Sequence, residues 1–143
     1  MSAAVVFASS CAALYVAHSV GDHWVQTSCQ AARKGGVGWS ARWACVRHVA
    51  TLTATKMLLL LVTLWVLDLS VSLVALVAAL GVDAVSHYWA DRRRPLYALA
   101  RLLRRDEFWH VGQGLGTGAY ALDQSWHHLW LWVAALIIAG GAA

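Results

Sequence analysis

Ionisable side chains recur at intervals of four along this chain: His18 and Asp22 with Gln26 beyond them, then Asp83, His87 and Asp91, then Asp123 and His127, with His48 standing alone. Residues four apart share one face of a helix and lie about 6 Å apart along its axis, so each group is a polar stripe. Imidazole and carboxylate together suit Zn, Mn or Fe, and helical bundles build metal sites by projecting such donors inward from facing helices. The expected ligands are His18, Asp22, His48, Asp83, His87, Asp123 and His127, enough for one or two divalent ions. Gln26 and Gln124 are their expected hydrogen-bonding neighbours, and Asp91, at the rim, is the candidate general base. A single buried His or Asp is as readily a packing contact; the repeated spacing is what favours ligation.

The elements that must carry these stripes are hydrophobic. Of the 143 residues 60% are hydrophobic and 13% charged, with one proline, against roughly 25% charged in soluble domains. A membrane-spanning helix needs roughly 20 apolar residues, so this length allows four crossings in one membrane domain over residues 1–143. The expected fold class is all-α: an integral membrane bundle of four transmembrane helices over about 3–27, 47–67, 71–91 and 119–139, plus a short amphipathic interfacial segment over about 95–110. Residues 29–47 read as a basic loop, and His48 opens the second helix. The short link at Asp68 to Ser70 forces the second and third helices into an antiparallel hairpin. Leu96, Leu99, Leu102 and Leu103 oppose Arg101, Arg104 and Arg105, the pattern of a helix lying on a membrane surface. The glycines from Gly112 to Gly118 let the chain turn back into the last helix.

Every Lys and Arg but Lys56 lies in the first and third loops, which places those loops in the cytoplasm and both termini outside a multi-pass cell-membrane protein. Every stripe then falls in the cytoplasmic half of its helix. The same confinement explains the net charge of +4 as topology; no nucleic-acid-binding domain is visible, and the expected partners are the lipid bilayer and a small-molecule or lipid substrate. The stretch before His18 lacks a basic leader segment, so a cleaved signal is not expected. Cys11, Cys29 and Cys45 have no CxxC spacing and read as free thiols. Trp24, Trp39, Trp43, Trp89 and Trp109 suit the membrane boundary. His23 and His128 point about 100° away from their neighbouring ligands and stay outside the set. Lys56, two turns beyond His48, either pairs with Asp83 or meets a substrate anion; Lys34 and Arg94 are further anion candidates.

Read together, Ala17-His18-x-x-x-Asp22-x-x-x-Gln26 followed by Lys34, His48, His87-x-x-x-Asp91-x-x-Arg94 and Asp123-Gln124-x-x-His127 resemble a small bacterial and phage integral membrane family of unknown function. The pattern is also similar to membrane-bound metal-dependent hydrolases. The resemblance implies a metal site built by His18, Asp22, His48, His87, Asp91, Asp123 and His127, whereas Asp83 rests on spacing alone. Where the family pattern has Lys after the third-helix motif, this chain has Arg94, which keeps the charge without a point ammonium.

The expected function is a membrane-embedded metal-dependent hydrolase acting at the cytoplasmic leaflet on a phosphoester or lipid-like substrate. A proton- or ion-handling membrane protein is the first alternative, though the outer helix halves contain essentially no ionisable residue to continue a path. A holin-like or membrane-anchored regulatory or partner-binding protein is the second. Nothing in the sequence fixes the oligomeric state.

Overall fold

The computed structural model describes residues 2–142, Leu115 by its backbone alone. The chain is all-helical. α1 (Ala3–Val20) passes into a wider π-helical turn (Gly21–Val25), followed by α2 (Ser28–Arg33), α3 (Trp39–Val66), α4 (Leu73–Asp91), α5 (Arg94–Leu102), α6 (Asp106–Trp109), a 3₁₀ turn (Gly114–Gly116) and α7 (Gly118–Gly140). The long helices α1, α3, α4 and α7 form a closed ring in which α1 packs on α3 and α7, and α4 packs on α3 and α7.

Three stretches among the described residues are long and apolar enough to cross a membrane: Ala3–Val25, Trp39–Val66 and Leu73–Asp91. α7 is long enough but is not one of them, because Asp123, Gln124, His127 and His128 fall in its first turns and lower its mean hydropathy. The apolar core fills one half of the ring, where Val6, Leu14, Leu60, Leu64, Ala79, Leu131 and Ile138 are buried together. At that end the α3–α4 connection, residues 67–72, is tied to the last residues of the chain: the Ser72 N–H donates to the Gly141 carbonyl at 2.7 Å, and Val71 bridges Ala142.

The boundaries differ from the sequence reading at the opposite end, where the polar stripes lie. The expected first helix through residue 27 ends its α-helical part at Val20; the next turn closes with the Gln26 N–H on the Gly21 carbonyl at 2.9 Å, one residue wider than an α-turn. Gly21 permits this, since a Cβ there would overlap the Leu52 side chain of α3. The expected basic loop 29–47 is largely helical. α2 forms because Thr27 and Gln30 make a reciprocal capping box. α3 begins at Trp39, after Gly38 at φ 86°, because Ala41, Ala44, Cys45 and His48 are buried as one stripe while Arg42 and Arg47 stay exposed. His48 therefore lies in the third turn of α3, not at its start.

The expected interfacial segment 95–110 is two helices, broken where Arg104 adopts φ 56°. Pro95 sits in the first turn of α5, where its missing N–H removes no bond. The Tyr97 hydroxyl donates to Asp106 Oδ1 at 2.7 Å across the break, which raises the phenol above its ordinary pKa. Gly118 at the start of α7 is a close-contact glycine: a Cβ there would overlap the Phe108 carbonyl of α6. Gly118→Ala is expected to destabilise the protein by about 1–3 kcal/mol, since backbone must shift to admit the methyl group. A melting curve in detergent showing an unchanged transition would contradict this packing.

Candidate metal centre

Four elements converge at the polar end of the ring. The π-turn carries Asp22, α3 carries His48, α4 carries His87 and Asp91, and α7 carries His127. The extra residue in the π-turn sets the direction of Asp22, and the contact of Gly21 with Leu52 brings that turn against α3 near His48.

His48 Nε2 lies 3.0 Å from Asp22 Oδ1, 3.1 Å from His87 Nε2 and 3.2 Å from Asp91 Oδ2. His87 Nε2 lies 3.7 Å from Asp22 Oδ1 and 3.3 Å from Asp91 Oδ2. His48, His87 and Asp91 are at most 2% exposed. Short as these separations are, Asp22 Oδ1 and Asp91 Oδ2 are buried without an acceptable hydrogen bond, as is His127 Nε2. His48 Nε2 and His87 Nε2 lie within hydrogen-bond distance of each other, and the two carboxylate oxygens border that pair. Donor atoms held 2.0–2.2 Å from a tetrahedral ion lie roughly 3.3 Å apart, which is the spacing seen here. Two groups satisfy metal-ligand distances: Asp22, His48 and His87, and His87, Asp91 and His127, each with its donor atoms within 4.8 Å of one another. His87 belongs to both, and its ring stacks on His127 with centroids 3.9 Å apart. The residues thus form two overlapping three-donor groups that share His87, and either has the donor types to hold a divalent ion. The Nδ1 atoms of His48 and His87 have no hydrogen-bond partner among the described residues.

The other expected ligands are placed differently. His18 is buried beside the cluster, but its Nε2 is 3.4 Å from Gln124 Oε1 and 3.6 Å from Asp22 Oδ2, and it belongs to neither group. Its position is that of a neighbour to Asp22, and Gln124 is its partner. Asp123 Oδ2 is 3.4 Å from His127 Nε2 with the side chain 25% exposed, outside both groups and facing a cleft. Asp83 is not brought to the centre at all. Its Oδ2 accepts a 2.6 Å hydrogen bond from Lys56 Nζ, and both residues are buried. This also removes Lys56 from the anion-binding set: a fully buried ammonium already paired cannot meet a substrate.

Asp91 is not the rim base expected from its place near the helix end. It is 2% exposed, with Lys34 of the turn after α2 lying against it. Lys34, expected to attract anions from a loop, caps α2 and places Nζ 2.8 Å from Asp91 Oδ1. The neighbouring Arg92 guanidinium donates to the carbonyls of Lys34 and Gly36, fixing the turn. Arg94 is exposed at the start of α5 and does not line the cleft; Arg93 does.

That cleft, of about 560 Å³, opens beside the centre. Asp22, Asp91, Asp123, Gln26, Lys34 and Arg93 are among the residues that line it. Sequence reasoning missed Arg93, Tyr120 and His23 as cleft residues. His23 Nδ1 donates to the Ser19 carbonyl at 2.8 Å and Nε2 is 3.1 Å from the Tyr120 hydroxyl. The 100° rule that set His23 aside assumes a regular α-helix, which the π-turn is not. His128, by contrast, packs on Tyr15 with ring centroids 4.8 Å apart, outside the centre, and His110 is exposed near Asp106.

The model of a family described as "Protein of unknown function (DUF3307)" matches residues 11–142, in keeping with the resemblance to a family of unknown function drawn from the motifs. No curated protein and no solved structure matches the chain.

Proposed function

This chain belongs to the DUF3307 family, and on that footing we propose that it is a membrane-embedded, metal-dependent hydrolase working at the cytoplasmic leaflet. α7 serves as the fourth crossing beside the three apolar spans, its polar first turns shielded by the ring. Trp43 and Trp65 are 60% and 82% exposed at opposite parts of α3, about 33 Å apart along its axis, which matches a hydrocarbon slab of about 30 Å. The arginines of residues 33–47 and 92–105 gather at the polar end, which sets that end in the cytoplasm.

One observation carries the reading: two imidazoles and two carboxylates from three elements are gathered within ligand distance beside an accessible cleft, with Asp22 Oδ1 and Asp91 Oδ2 buried and without a hydrogen-bond partner among the described residues. A bound Zn, Mn or Fe ion would polarise an ester oxygen or lower the pKa of a water there. Asp22, His48, His87 and Asp91 would hold the ion, and Lys34 holds Asp91 in place. Asp123, partly exposed and beside His127, would accept a proton from water in the cleft at Oδ2. The reading of a proton or ion path finds no support beyond Lys56 and Asp83, where the ring is filled by Leu60, Leu64, Leu76 and Leu80.

The test is metal content together with hydrolysis of a chromogenic phosphoester by protein purified in detergent. The expected result is about one equivalent of metal, with hydrolysis lost on chelation. Asp123→Asn is expected to retain the metal while hydrolysis falls at least about a hundredfold, the usual scale for removing a proton acceptor. Protein that takes up none of the three ions, or hydrolysis indifferent to chelation, would overturn the proposal.

A further inference from the structure

The cleft contains more than the hydrolytic reading uses. Arg93 sits at φ 59°, an unusual conformation for a non-glycine residue. The effect is to part it from Arg92: Arg92 turns onto the loop carbonyls of Lys34 and Gly36, while Arg93 runs over Gly35 and into the cleft lining. A Cβ on Gly35 would lie 2.6 Å from Arg93 Cδ, so the glycine makes room for that path. On the opposite side, Gln26 Nε2 is a buried amide donor with no hydrogen-bond partner among the described residues. Leu96 and Trp109 add an apolar wall.

Charge sets a condition on what can bind. The cleft lining holds three carboxylates, Asp22, Asp91 and Asp123, against two fixed cations, Lys34 and Arg93. Without a metal the excess is negative and repels anions; one divalent ion reverses its sign. An anion therefore binds after the metal, and by linkage each raises the affinity of the other. Donors arriving from several directions suit a tetrahedral oxyanion with three free oxygens better than a planar carboxylate, and the guanidinium fork is matched to phosphate.

The geometry points to a phosphate group borne on an apolar chain as the ligand of this cleft, with Arg93 and Gln26 as its donors, Trp109 and Leu96 against its chain, and metal loading as the precondition. This rests on the metal-centre reading above and adds the ligand class to it.

The experiment is calorimetric titration of the detergent-solubilised protein, zinc-loaded and chelator-stripped, with inorganic phosphate and with dodecyl phosphate. Zinc-loaded protein is expected to bind dodecyl phosphate at least about tenfold more tightly than inorganic phosphate, and stripped protein to bind both at least about tenfold more weakly. Arg93→Gln is expected to weaken both probes at least about tenfold at unchanged zinc content, with Gln26→Leu as a second variant should the first fold poorly; Trp109→Ala weakens dodecyl phosphate alone, and Arg94→Gln leaves both unchanged. Zinc binding without phosphate binding, equal binding to stripped protein, or indifference to both Arg93→Gln and Gln26→Leu overturns this inference and leaves the metal centre standing. Equal affinity for the two probes overturns the chain-bearing ligand in favour of free phosphate. Failure to bind zinc, manganese or iron overturns both readings together.

Discussion

His87→Ala is expected to purify without metal and without hydrolytic activity. His87 is the residue common to both ligand groups, and its Nε2 lies within 3.7 Å of donor atoms from His48, Asp22 and Asp91. Its loss leaves only two donors in each group, Asp22 with His48 and Asp91 with His127. Affinity should fall by more than about a hundredfold, beyond the 10–100-fold that removal of an outer partner costs. Metal analysis after dialysis against a weak chelator measures this directly. A variant that keeps a full equivalent of metal would show that His87 is a packing residue whose ring stacks on His127 and does no more.

Lys56→Met is expected to be among the most destabilising single changes in the chain. Lys56 and Asp83 are buried together, with 2.6 Å between Nζ and Oδ2. Removing one partner strands a carboxylate in an apolar interior, at a cost of about 3–5 kcal/mol. The double change Lys56→Met with Asp83→Leu removes both charges and should recover most of that loss, since replacement of a whole buried pair is often neutral. Unfolding of the single and double variants in mixed micelles, compared as a cycle, separates the terms. Equal destabilisation by the single and double variants would mean that the pair contributes through shape alone. Lys56→Met should leave metal content intact wherever the protein remains folded, because Asp83 belongs to neither ligand group.

Much of this was legible before any coordinates. The four-residue spacing identified the stripes, and the short link at Asp68 to Ser70 made α3 and α4 neighbours. The spacing makes His48, His87, Asp22 and His127 ligand candidates, and the fold brings these four side chains to one end of the ring. The misreadings share a cause: counting residues along a regular helix gives depth and direction only while the helix stays regular and nothing covers its end. The π-turn at Gly21–Val25 broke the first condition and changed the standing of His23. α2 broke the second by bringing Lys34 over Asp91, which makes an apparent rim base a buried, ion-paired carboxylate. A signal for α2 was present in Thr27-x-x-Gln30, the spacing of a capping box. No comparable signal exists for Arg93, since three consecutive arginines are distinguished only by a backbone angle at one of them.

The pairing of Ser72 with Gly141 and of Val71 with Ala142 closes the end of the ring farthest from the metal centre. A helix anchored at one tip moves most at the other. From Gly140 back to His127 is about 20 Å of α7, so a tilt of about 5° displaces His127 by about 1.7 Å. Ion coordination tolerates only about 0.2 Å. On the reading proposed above, an ion bound there would link α3, α4 and α7 at the end opposite the Ser72–Gly141 pairing, so that the helices would be joined at both ends of the ring.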